Sequence, residues 1–157
     1  MTFQELPRDA KRVHFAVLDE DDLGIVSAHL QDSELKLGDM AFLPTSGHFA
    51  AVACRVDWDS LTVGRPARRE TGFHFSYVRK VRRIGFEQND PELPLQLLAV
   101  SFEGTDMPAG NVLLTFAGGR MIKLEVECLE AEMRDLGPCW PVERCPRHDL
   151  DAMRAAG

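Results

Sequence analysis

Seven of the chain's 18 lysines and arginines fall between residues 65 and 83: Arg65, Arg68, Arg69, Arg79, Lys80, Arg82 and Arg83. One acid, Glu70, lies among them, whereas the rest of the chain carries 11 basic and 24 acidic groups. A +6 segment therefore sits on a −13 body. Cations at this density suit a phosphate, a nucleic-acid backbone or an acidic protein surface. Phe73, His74, Phe75 and Tyr77 lie inside the segment and supply rings for stacking. A strand with Arg79, Val81 and Arg83 on one face and Lys80 and Arg82 on the other also describes an edge strand that uses charge to resist pairing. The candidate set for anion or partner binding is Arg68, Arg69, His74, Arg79, Lys80, Arg82 and Arg83.

Other chemistries find less support. Cys139, Cys145 and His148-Asp149 form C-x5-C-x2-H, which matches no usual zinc spacing. The remaining histidines, His14, His29, His48 and His74, are scattered. Cys54 and Cys128 lie in apolar runs, as inert core thiols do. Neither a G-x-S-x-G elbow nor an H-E-x-x-H helix occurs. Gly118-Gly119 reads as a hairpin turn and not as a phosphate loop. Asp106, in the loop Thr105–Gly110, is expected to bond its own turn. No catalytic residue, metal site or cofactor is expected.

Composition sets the frame for these residues. A chain of 157 residues can bury a core without staples. Its net charge of −7 argues against nonspecific binding to nucleic acid or anionic lipid. No stretch approaches 18 consecutive apolar residues, and the start, MTFQELPRDAKR, lacks the apolar run of a signal peptide. The four cysteines are scattered without a CxxC pair. These features predict a cytoplasmic protein with no membrane span.

The elements follow from periodicity. Val13–Leu18 reads as a strand and Asp19 as the cap of a helix, with Asp22 completing a box-like start and Leu18/Leu23 in staple positions. Leu23, Val26 and Leu30 give that helix its apolar stripe. Period two then takes over. Leu35 and Leu37 alternate, Met40 and Phe42 alternate on the opposite parity, and Phe49–Trp58 places Val52, Cys54, Val56 and Trp58 on one face. Residues 59–69 read as a loop and Thr71–Phe86 as one long, bent strand. Leu95–Phe102 reads as a central strand, and Val112–Ala117 with Met121–Val126 as a hairpin across Gly118-Gly119. Leu129, Met133 and Leu136 return to helical spacing before Gly137-Pro138.

The prediction is an α+β, mainly antiparallel fold. Six to seven strands form a partly open barrel or two-layer sheet with an N-terminal and a C-terminal helix. Residues 1–140 make one domain and 141–157 a tail. Element order resembles the pleckstrin-homology-like superfold.

Ser27-Ala-His-Leu-Gln-Asp32, Gly38-Asp-Met40, Val56-Asp-Trp58, Thr71-Gly-Phe-His-Phe75, Thr115-Phe-Ala-Gly-Gly119 and Leu124-Glu-Val-Glu-Cys-Leu-Glu-Ala131 together resemble a bacterial family known as domain of unknown function 2948. The resemblance covers roughly residues 13–140 and implies no activity, substrate or catalytic residue. The functional expectation is thus a non-enzymatic binding or adaptor domain, pairing with a copy of itself or an anionic or acidic partner through residues 65–83. The alternative is a small enzyme or ligand carrier with a pocket in the barrel. Binding of RNA on a sheet face would require Phe73, Phe75 and Tyr77 to be exposed.

Overall fold

A computed structural model describes residues 12–137 together with 140 and 141. The predicted tail beyond residue 141, the metal candidates Cys139, Cys145 and His148-Asp149, and nearly all of the polar lead-in lie outside the described residues.

Strand β1 (His14–Val17) leads into helix α1 (Glu20–Leu30). The helix starts where its acids place it: the Asp19 carboxylate accepts from the Asp22 amide at 2.8 Å, and that of Asp22 accepts from the Leu18 amide. The staple does not form, because Leu18 remains 71% exposed. Leu23, Val26 and Leu30 are buried as their spacing requires, and α1 packs chiefly on β7. Ser27 Oγ accepts from the Val100 amide of that strand at 2.9 Å.

The parity switch after Leu37 is a break between two strands, β2 (Ser33–Lys36) and β3 (Met40–Leu43), joined by a single 3-10 turn. Next come β4 (His48–Val56), the short helix α2 (Trp58–Thr62), β5 (Ala67–Phe75) and β6 (Val78–Ile84). Then follow β7 (Pro94–Gly104), β8 (Gly110–Phe116), β9 (Arg120–Val126), β10 (Ala131–Asp135) and β11 (Trp140–Pro141). The β8–β9 hairpin turns through Gly118 and Gly119, both at positive φ.

All pairing is antiparallel within one hydrogen-bonded sheet of order β1-β10-β5-β4-β2-β7-β8-β9-β6, with β3 also on β4 and the two-residue β11 on β5. The hydrogen-bonded path is unclosed, with β1 at one end and β6 at the other.

This corrects the predicted fold. Among the described residues ten strands of four residues or more replace six or seven, and their sheet is neither a partly open barrel nor a two-layer sheet flanked by two helices. No helix forms over Leu129–Leu136: Ala131, Met133 and Asp135 point inward from β10 at strand period. A buried aspartate at the third position hides that alternation from the eye. The other described α-helix is the five-residue α2, which starts at Trp58, the end of the predicted strand, and runs into the stretch read as a loop.

The long strand over 71–86 is really two. The chain breaks at Ser76-Tyr77, where Tyr77 adopts φ 56, and passes from the middle of the sheet to its far end. Strand β4 also faces the other way from its predicted face. Phe49, Ala51, Ala53 and Arg55 are buried, while Val52 is exposed.

The core lies on the inner face of the sheet. Cross-strand rows place Phe42, Phe49, Phe75, Ala131 and Val17 side by side, then Met40, Ala51, Phe73, Met133 and Phe15. Leu97, Leu114 and Leu124 fill the facing part.

Two glycines test this fold in opposite directions. A Cβ on Gly24 in α1 would touch nothing, so Gly24→Ala should raise stability by about 0.5–1 kcal/mol in thermal or urea unfolding. Gly85, at φ 81, follows β6 and lies against the turn of the β8–β9 hairpin, with the Gly119 carbonyl 2.5 Å from a built Cβ. Gly85→Ala should therefore cost at least about 2 kcal/mol.

Candidate functional site

The structure divides the seven predicted residues into three groups. Arg68 and Arg69 are 4% and 1% exposed and cannot reach a partner. His74 is half-buried on the outer face of β5, its ring edge-on to His48 at 5.7 Å. Arg79, Lys80, Arg82 and Arg83 are exposed along β6.

Burial of Arg69 follows from strand parity. The inner row of β5 runs Phe75, Phe73, Thr71, Arg69, and that of β4 runs Phe49, Ala51, Ala53, Arg55. Register sets Arg55 directly opposite Arg69, two guanidinium groups away from water. Like charges so placed repel. Two aspartates neutralise them. Asp135 of β10 grips Arg55 through two bonds of 2.8 Å and also accepts from Thr71 Oγ1 and the Val13 amide, each at 2.7 Å. Asp57 accepts from Arg69 Nε at 2.9 Å and caps α2 through the Ser60 amide. On the opposite face Arg68 binds Glu34 at 2.9 Å and the Cys54 carbonyl at 3.0 Å.

Burial alone would push the Asp135 carboxyl up. The hydrogen bonds from Arg55, Thr71 and Val13 and the charge of Arg55 outweigh it, holding the group below its ordinary range. Cys54 moves the other way: burial pushes its thiol up, with Glu34, Glu70 and Asp39 adding and Arg68 opposing. A thiol raised in this way is a poor nucleophile at neutral pH.

The surface group is built by register. Among the described residues β6 ends the sheet and pairs with β9 alone, with Arg79 in a bulge between Val78 and Lys80. Val81 packs against the core, and Lys80 lies opposite Glu125. Arg82 lies opposite Lys123, with Glu125 at 3.7 Å as its ion-pair partner. Arg83 donates to Asn89 at 3.0 Å. Lys123 thus joins the cationic group, although sequence reading missed it. Its signal is the long-range pairing of β6 with β9, which local periodicity does not carry.

Phe73 and Phe75 are buried, so they offer no stacking surface; Tyr77 is 49% exposed. It lines an open polar cleft with Ser46, His48, Ser76 and Glu130, at the start of β6. A second open depression, with Leu18, Phe102, Met107 and Leu129 below an acidic rim, lies at the start of α1. Among the described residues, no three His, Cys, Asp or Glu side chains are grouped to hold a metal ion. Among the same residues, no helix is long and apolar enough to cross a membrane.

A family model described as Protein of unknown function (DUF2948) matches residues 13–148, and the chain belongs to that family. No curated protein and no solved structure matches it.

Removing Asp135 strands the Arg55 guanidinium in the interior, so Asp135→Ala should cost about 3–5 kcal/mol in chemical unfolding. A carboxyl depressed in the folded state stabilises fully above its unfolded value of about 4, and this contribution is lost as pH falls toward the folded value. The wild-type melting temperature should therefore drop below about pH 4, with a shallower drop in Asp135→Asn.

Proposed function

We propose that this protein is a non-enzymatic binding domain that holds an acidic partner on the exposed cations of β6 and the half-buried Lys123 of its neighbour β9. The observation that carries this reading is the juxtaposition of Arg82 and Lys123 across the β6–β9 register, with the Glu125 carboxylate 3.7 Å from Arg82. Like charges directly opposite one another are unfavourable, and an incoming anion turns that repulsion into attraction. Arg79, Lys80 and Arg83 extend the field along the same strand. The acidic remainder of the chain repels an acidic partner at long range, but within a Debye length of about 8–10 Å the local cations dominate.

β6 is poorly suited to symmetric self-pairing, since two copies edge to edge would set four cations against four. A second copy fits only as an acidic partner, presenting a different surface. A cytoplasmic setting belongs to the reading and agrees with the free thiols of Cys54 and Cys128. A pocket enzyme would need convergent polar groups in an enclosed site. The described interior is instead packed with Phe49, Phe73, Phe75, Leu97, Leu114 and Leu124, and the described polar clefts are open.

The test uses a labelled alternating Glu-Thr heptapeptide as probe. Wild-type protein should bind it more weakly as salt rises, because the attraction is screened. Lys80→Glu with Arg82→Glu should weaken binding by at least about tenfold, while thermal stability stays within about 0.5 kcal/mol as expected of surface changes. Equal binding by the double variant would sink the proposal.

A further inference from the structure

The binding reading above, on which this inference rests, leaves open what form the acidic partner takes. We infer that it is an extended acidic segment that adds as a further strand to the free edge of β6, with the Tyr77 ring as the anchor at one end.

Three observations converge on this form. First, β6 is the last strand of the sheet, and residues 79–84 make no backbone hydrogen bond to a strand other than β9 among the described residues. A strand paired on one side only turns alternate amides and carbonyls outward, where an extended chain can bond them. At its first residue this outward bonding already occurs: the Val78 amide donates to the Gly47 carbonyl at 2.8 Å. The available edge therefore begins just past the β3–β4 turn and runs on to Ile84, which is 50% exposed.

Second, the side chains along this edge select the partner. Lys80 and Arg82 share a face with Lys123 on β9. An alternating acidic sequence would place its carboxylates beside them at the strand's own two-residue period. A basic or uncharged strand meets the same cations without compensation, which is how a charged edge excludes the wrong neighbour.

Third, Tyr77 stands where that edge begins. A bulky residue at φ 56 is a backbone outlier held by its surroundings. Ser76 donates to the Glu130 carbonyl at 2.9 Å, Val78 to Gly47, and Glu127 donates to the Tyr77 carbonyl at 3.0 Å. These bonds fix the turn on both sides of Tyr77. They hold its ring half-exposed over the cleft of Ser46, His48, Ser76 and Glu130. A glycine would satisfy the same backbone without strain. A tyrosine here contributes its ring, and tyrosine and arginine are the residue types enriched at binding hot spots.

The experiment compares three peptides by NMR titration of the full chain: the alternating Glu-Thr heptapeptide and two versions N-methylated on alternate residues, one for each set. Strand addition predicts that the unmodified peptide binds and slows amide exchange within 80–84. One methylated version should bind at least about tenfold more weakly and the other close to the unmodified peptide, because only one set of amides faces β6. Tyr77→Gly should weaken binding by at least about tenfold while leaving the thermal midpoint unchanged or raised, a combination that a purely structural tyrosine does not produce. If both methylated peptides bind as well as the unmodified one, strand addition is overturned and the charge-based reading survives. If the unmodified peptide shifts no amide of Lys80–Ile84, both are overturned. Wild-type affinity in Tyr77→Gly removes the ring from the site.

Discussion

The interior of this protein depends on the neutralisation of two opposed arginines. Antiparallel register sets Arg55 against Arg69 on the inner face of β4 and β5, beyond the last apolar row. Neither side chain can reach water, so the strands pack there only if carboxylates are delivered to the same spot. Asp57 arrives from the end of β4 and Asp135 from β10. The second delivery also fixes topology. Asp135 binds Arg55 on β4, Thr71 on β5 and the backbone just ahead of β1, so one carboxylate ties β10 to the strands on either side of it.

The same interaction explains where sequence reading succeeded and failed. The α1 start at Asp19, the parity switch after Leu37 and the Gly118-Gly119 hairpin are local devices, and each was legible from neighbouring residues, although the switch fitted a bulge as well as the break that the fold shows. The face of β4 was not. With Arg55 at an inner position, the run Val52, Cys54, Val56 looks like the apolar face, though Phe49, Ala51 and Ala53 are the buried ones. Asp135 misleads in the same way: it breaks the Ala131, Met133 alternation and leaves Leu129, Met133 and Leu136 to suggest a helix. Both errors come from charges buried because each has the other. That pairing spans 80 positions, beyond the reach of any local window.

The basic segment carried a real signal, but it merged two unlike things. Arg68 and Arg69 belong to strand β5, paired on both edges, whereas Arg79, Lys80, Arg82 and Arg83 belong to the terminal strand β6. What separates them is the turn at Ser76-Tyr77, where the chain leaves the middle of the sheet for its end. A row of cations on a terminal strand guards an otherwise open edge. It also sets a condition on whatever approaches that edge, and Lys123 enters the condition only through the folded register.

The distance in sequence between Arg55 and Asp135 has a consequence during synthesis. Ribosomes add about 5–20 residues per second, so Asp135 emerges several seconds or more after Arg55. Arg69 follows its own partner Asp57 closely and can be matched early. Arg55 has no such local relief. Through that interval the nascent β4–β5 hairpin cannot dehydrate its charged end, and its apolar rows stay open to other chains in the crowded volume around the ribosome. Neutralisation of Arg55 therefore waits for β10, and a chain truncated upstream of residue 135 lacks the carboxylate that supplies it.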